Sequence, residues 1–352
     1  MRTAIIYSQK YLEHETGSDH PERPQRLTAI MNGIRKSKLV ECCEKIVFIK
    51  PSPASLEDLQ LVHAQGYIEK VKLICEGGGG LIDEETPVSK ESFEVARLAA
   101  GGAIKAVREV ISGNFDNAFV LSRPPGHHAG SNYSLGFCIF NNVALAAKYL
   151  IVNQSVKRIL ILDVDAHHGN GTQEIFYNTS NVLYVSVHED PTEFPRTGFA
   201  REVGVDDGRG YTVNVPLPFG SSDPAYWKAF KNIVLPIVEQ YSPQFILVSA
   251  GFDGYYRDSV SDLALSAYMY PKIFQTILSM AHRLCDGKIV AVLEGGYNLW
   301  FLKRIVAVCI GKMAGISLKV RDRRPPINPE IEKEANKVIN VVRRIQSRYW
   351  SL

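Results

Sequence analysis

The stretch Arg158–Thr172, R-I-L-I-L-D-V-D-A-H-H-G-N-G-T, constrains this chain more than any other. Arg158 to Leu162 is a short apolar run, rich in Ile and Leu, that ends in charged residues and then glycines. Such a run reads as a strand buried on both faces, the kind that builds parallel sheets. Parallel sheets gather their chemistry at the carboxyl ends of strands, where the next loop begins. Here that end carries Asp163, Asp165, His167 and His168 beside Gly169 and Gly171. Side chains alternate along an extended strand, so Asp163, Asp165 and His167 are expected on one side of the chain. A single Asp-x-Asp is ordinarily a salt-bridged turn. Four ionisable residues beside glycines that permit close backbone approach point instead to a metal site.

The same strand-then-polar-loop pattern recurs along the chain. Met1–Ser8, Asn117–Leu121, Asn181–Val187, Tyr211–Leu217, Gln244–Ala250 and Lys288–Leu293 read as strands. Between them, helical spacing runs up to Lys36 and over Leu56–Ile74, Ser92–Ser112, Asn142–Leu150, Trp227–Gln240 and Pro271–Leu284. Strands alternating with helices specify an α/β fold, with a mostly parallel central sheet flanked by helices on both faces. The glycine run Glu76–Gly80 lacks the Gly-Lys-Ser/Thr of a phosphate loop and reads as a flexible connection. In Ser18–Leu27, Pro21 and Pro24 fix a polar loop whose charges can tie it to neighbours. One domain is expected over residues 1–320. Residues 321–352 form a linker with Pro325, Pro326 and Pro329, followed by a helix over Glu330–Trp350 that packs on the domain.

Composition narrows the function classes. A net charge of +3 over 352 residues is too small to imply a nucleic-acid partner or a membrane surface. No segment approaches the roughly 18 continuous apolar residues of a membrane span. The apolar run at Met1–Ser8 is too short for a signal peptide. Cys42, Cys43, Cys75, Cys138, Cys285 and Cys309 contain no C-x-x-C pair and fit reduced thiols of a cytoplasmic protein.

Each remaining candidate also follows a strand. R-P-P-G-H-H presents His127 and His128 on a rigid turn, G-F-D-G carries Asp253, and E-G-G-Y-N carries Tyr297. Asp165, His167 and Asp253 together supply one nitrogen and two carboxylates. Three protein ligands leave a position open, as in catalytic zinc sites. The oxygen-rich set would also accept iron(II), cobalt or manganese. His127 or His128 can then take a proton from water and return it to a leaving amine. Tyr297 can donate a hydrogen bond to a developing oxyanion.

R-P-P-G-H-H, D-V-D-A-H-H-G-N-G-T, A-G-F-D and L-E-G-G-Y-N-L, in this order, resemble the histone deacetylase superfamily, which shares its fold with arginase. E-G-G-Y and Asn170 are most similar to class II members and their prokaryotic relatives. The resemblance covers essentially the whole chain and implies an arginase/deacetylase-like fold. It implies zinc on Asp165, His167 and Asp253, His128 as general base and acid leaning on Asn170, and His127 as an electrostatic partner oriented by Asp163. It implies aromatic walls at Phe137 and Phe194, with Gly136 beside them, around an acyl-lysine tunnel. Structural potassium is implied near Asp163, Asp165, His167, Ser186 and Val187, and again near Phe176, Thr179, Val182 and Tyr211.

Two places depart from the family's pattern. E-E-T-P puts Glu85, with its longer reach, where an aspartate usually grips the substrate backbone. G-Y-Y-R-D-S-V-S-D follows Asp253 in place of the more usual D-P-L-G. The expected activity is metal-dependent hydrolysis of acylated amines. An acetylated protein lysine is the favoured substrate, and an acetylated polyamine or other small acylated amine the alternative. The longer entrance loop of the polyamine relatives is absent, as is the late second Asp-x-Asp that a ureohydrolase needs. A non-catalytic acyl-lysine binding module is the remaining reading, but neither Tyr297 nor any ligand is lost. A homo-oligomer is left open.

Overall fold

The computed structural model describes residues 1–41 and 44–352, so the reading of Cys42 and Cys43 as reduced thiols lies outside the described residues. Cys75, Cys138, Cys285 and Cys309 are free and buried. The strands, in chain order, are β1 (Thr3–Ile6), β2 (Ile46–Ile49), β3 (Gly79–Leu81), β4 (Pro87–Ser89), β5 (Asn117–Val120), β6 (Ile159–Asp163), β7 (Val182–Glu189), β8 (Thr212–Leu217), β9 (Phe245–Ala250) and β10 (Ile289–Leu293). Eight of them form one sheet in the order β2-β1-β5-β10-β9-β6-β7-β8, with every neighbouring pair parallel.

Apolar side chains fill both faces of this sheet. Along β6, Leu160 and Leu162 join the core built with the helices Gln25–Lys36, Met269–Leu284 and Leu299–Met313. Ile159 and Ile161 point the other way, into the core formed with Ser92–Ile111 and Asn142–Gln154. A strand with no solvent face needs apolar residues at every position, which is why these strands read as continuous runs rather than alternations. The helix Pro329–Gln346 buries Ala335, Ile339 and Val342 in the first core. Gln346 donates to the carbonyl of Thr212 at 3.1 Å and Trp350 to that of Gly210 at 2.9 Å, so this end of the chain lies along the edge strand β8.

Several elements differ from the sequence reading. Leu56–Ile74 is two helices, Leu56–Gln60 and Gln65–Glu76, rather than one. The Ala64 amide donates to Ser131 at 2.8 Å, and the His63 ring bridges the Gly130 carbonyl and the Asn141 amide, which diverts the backbone between them. The glycine run is not a loose connection, because Gly79–Leu81 pairs antiparallel with Pro87–Ser89. Edge strand β2 and the helices Asn170–Phe176 and Leu299–Met313 are elements that the sequence reading did not assign. No helix among the described residues is long and apolar enough to cross a membrane.

Candidate active site

The four central strands β5, β10, β9 and β6 are neighbours, and each delivers site residues just beyond its carboxyl end. His127 and His128 follow β5, Tyr297 follows β10, Asp253 follows β9, and Asp165 and His167 follow β6. The order reverses here, since β5 lies beside β10 and not beside β6, which opens the crevice where such sheets place ligands.

Asp163, Asp165 and His167 do not line one face of an extended strand. β6 ends at Asp163 and the chain bends at once. Asp163 then turns to His127 Nδ1 at 3.1 Å and receives the Tyr184 hydroxyl at 3.1 Å. The bend instead carries Asp165 and His167 towards Asp253. Their donor atoms, with those of Asp253, lie within 4.8 Å of one another, and all three residues are buried. His167 Nδ1 is 3.1 Å from Asp253 Oδ2 and 3.4 Å from Asp165 Oδ1.

Two buried carboxylates this close repel one another unless a cation or protons sit between them. Burial and then the Asp165 charge push the Asp253 carboxyl up. Burial opposes the Asp165 charge too, but His127 and His167 outweigh it and hold that carboxyl well below the usual range. One imidazole nitrogen and two carboxylates therefore fit a divalent metal of the zinc type. The surrounding backbone is matched to the set. Gly295 donates to Asp165 Oδ2 at 2.8 Å, and a Cβ on Gly295 would come within 2.5 Å of Asp253 Oδ2.

The two histidines have opposite charge preferences. For His127, burial works against protonation, but the Asp163 and Asp165 carboxylates outweigh it and raise the ring to about 10. Burial, followed by the charges on His127 and His167, holds His128 well below its ordinary value. His128 Nδ1 lies 2.7 Å from Asn170 Oδ1, an acceptor that fixes a proton on Nδ1 and leaves Nε2 as a neutral base. The His127 and His128 ring centres are 4.0 Å apart.

Phe194 packs 5.0 Å from His128 and 5.7 Å from His167, while Phe137 stands edge-on to Tyr297 at 6.0 Å. Gly136, at φ +56°, must lack a side chain, since a Cβ there would come within 2.3 Å of His128 Cδ2. Glu85 Oε1 accepts from the Gly136 amide at 3.1 Å, so it is joined to the loop that carries Phe137. Burial pushes the Tyr297 phenol well above its ordinary value, so it remains a hydrogen-bond donor. The residues of the two implied potassium sets fall in separate places. Asp163, Ser186 and Val187 lie along β6 and β7, and Asp165 and His167 just past β6. Val182 and Tyr211 lie at the beginnings of β7 and β8, near Phe176 and Thr179.

Sequence reasoning passed over several neighbours. Arg26 donates to the carbonyls of Gly296 at 2.6 Å and Glu294 at 2.5 Å and lies 4.9 Å over the Tyr297 ring. Glu22 binds Arg26 at 2.9 Å and Arg123 at 2.6 Å, all fully buried. The i,i+4 spacing of Glu22, in the loop, and Arg26, at the start of the helix Gln25–Lys36, was the available signal. Asp258, in the divergent segment after Asp253, accepts from the Tyr297 and Asn298 amides at 2.7 and 2.9 Å. Nothing local in the sequence announces that contact.

The sequence profile of the histone deacetylase domain matches residues 20–313. The chain is 41% identical to a probable deacetylase of Archaeoglobus fulgidus, over 99% of both proteins. It is 36% identical to a histone deacetylase-like amidohydrolase of Pseudomonas aeruginosa, over 91% of this chain and 88% of that one. Among solved structures, the HDA15 HD domain superposes with a TM-score of 0.88 at 34% identity, over 99% of this chain and 95% of that one. With a parallel sheet that brings these motifs to one crevice and relatives matched end to end, this chain belongs to the histone deacetylase family of hydrolases.

Proposed function

We propose that the protein is a zinc-dependent amide hydrolase that removes acetyl groups from acylated amines, with the acetyl-lysine side chain of proteins as its favoured substrate. The observation that carries this reading is the convergence of Asp165, His167 and Asp253, with His128 held through Nδ1 by Asn170 at 2.7 Å. A zinc ion on those three ligands would acidify water and polarise the amide carbonyl. His128 Nε2 takes the water's proton as the new C–O bond forms, and returns it to the departing amine nitrogen as the C–N bond breaks. His127, held charged by Asp163, offsets negative charge that develops nearby. Tyr297 donates to the oxyanion. Phe137 and Phe194 offer apolar walls to a linear acyl-amine.

The acetylpolyamine alternative draws on one contact. Glu85, which would grip a peptide backbone, is committed to the Gly136 amide, and a small amine makes no demand on it. Zinc-loaded protein assayed side by side on acetyl-lysine peptides and acetylpolyamines separates the two. Higher kcat/KM on the peptides supports the favoured substrate, and preference for the polyamines replaces it. Turnover of neither removes the hydrolase reading for both.

A further inference from the structure

A second group of metal-ligating side chains lies beside the first. His127, Cys138 and Glu294 are buried, and their donor atoms lie within 4.8 Å of one another. Glu294 Oε2 accepts from the amides of Gly126 at 2.7 Å and His127 at 3.2 Å, but Glu294 Oε1 has no hydrogen-bond partner although the residue is fully buried. A carboxylate oxygen removed from water without a partner is costly, and a cation is one of the few things that satisfies it. His127 Nδ1 is engaged by Asp163, which leaves Nε2. The Cys138 thiol meets only backbone groups, the Gly136 carbonyl at 3.4 Å and the backbone of His128, and no side chain.

We propose that His127, Cys138 and Glu294 form a second metal site, selective for a borderline-soft divalent ion such as zinc, cobalt(II) or cadmium. One sulfur, one imidazole nitrogen and one carboxylate oxygen match that class of ion and not magnesium or calcium. Binding displaces two protons to solvent, one from the Cys138 thiol and one from His127 Nε2, and the thiolate and carboxylate together balance the charge of the ion. His127 Nε2 is 3.8 Å from Asp165 Oδ1, so the two sites share a wall, and the Asp165 carboxylate screens one ion from the other. The site itself stands apart from the hydrolytic reading. If that reading holds, an ion on His127 Nε2 takes that ring out of its part in hydrolysis, and excess zinc inhibits.

The full-length apo-protein is titrated with cobalt(II) and followed by absorption. The first site has no sulfur, so a thiolate-to-cobalt charge-transfer band reports the second site alone. The parent protein is expected to bind one equivalent more than Cys138→Ser and to show a band that the variant lacks, whichever site fills first. Identical stoichiometry and identical spectra in the two proteins overturn the proposal. Should Cys138→Ser fail to fold, X-ray absorption on the parent loaded with two equivalents of zinc must show a Zn–S distance of about 2.3 Å, and its absence overturns the site equally. Glu294→Gln keeps an acceptor for the two amides but loses the charge, and should weaken binding of the sulfur-ligated ion. In hydrolysis assays the second zinc equivalent should slow the parent by about tenfold or more and spare Cys138→Ser. A parent that shows the sulfur-ligated ion yet never hydrolyses an amide keeps the site and loses the proposed function.

Discussion

Tyr297 is held from three directions without any contact that requires its hydroxyl. Asp258 binds its amide, Arg26 lies over its ring, and Phe137 meets the ring edge-on. The ring is therefore placed by groups that a phenylalanine would also satisfy, while the phenol is reserved for substrate. A donor aimed at an oxyanion strengthens its bond as charge develops, so it acts on kcat more than on binding. Tyr297→Phe should retain its metal content and melting temperature, with kcat lower by roughly 10²–10³. A Phe variant that turns over acetyl-lysine peptide at the parent rate removes Tyr297 from the mechanism. The three proposed ligands were readable from sequence because each follows an apolar run, and the same is true of His127, His128 and Tyr297. Arg26 carried only its i,i+4 spacing to Glu22, and Glu294 only its place directly after β10; Cys138 and Asp258 carried no signal, because their partners lie far away in the chain.

At the level of elements, strands buried on both faces are conspicuous in sequence, and short edge elements are not. β2 is an apolar run of four residues, but only Ile46 is buried and Phe48 is exposed at 46%, so it is shorter and less enclosed than β6 and β9. The break inside Leu56–Ile74 was hidden for a different reason: its cause is a tertiary contact through His63. That ring donates from Nδ1 to the Gly130 carbonyl at 2.9 Å and accepts the Asn141 amide at Nε2 at 2.9 Å, so it must be neutral. Burial lowers it to about 4. A histidine that charges more readily unfolded than folded contributes stability present above its unfolded value, near 6.5, and lost as pH falls towards 4. His63→Gln keeps one donor and one acceptor but cannot titrate. The parent should lose stability more steeply than this variant between pH 6.5 and 4, by about 2 kcal/mol at pH 5, measured by denaturant unfolding. Parallel pH profiles for the two proteins would contradict the assigned tautomer.

For the molecule as a whole, one sheet with two apolar faces positions the site, and its two edges are finished differently. β2 is open at one end of the sheet, while the helix Pro329–Gln346 lies along β8 at the other. We propose that residues 321–352 act as a linker and edge cover for the catalytic domain. Their removal would expose Val213-side core contacts and leave backbone groups of an edge strand unpaired, which favours association. A chain ending at residue 320 should melt at lower temperature and aggregate. An unchanged melting temperature and a monodisperse sample would show that the helix is dispensable.

The central claim is that one metal ion on Asp165, His167 and Asp253 makes this crevice a hydrolase. Asp253 accepts the Ala166 amide at 2.9 Å but lies in the loop just past β9 rather than in the strand, so its loss should leave the sheet folded. The most direct measurement is bound metal and amide hydrolysis for Asp253→Ala beside the parent, at equal concentration, after zinc loading and removal of free ion. The account predicts a folded variant that has lost its catalytic equivalent of zinc and its turnover together. A variant that keeps the full metal content of the parent and still hydrolyses acetyl-lysine peptide contradicts it.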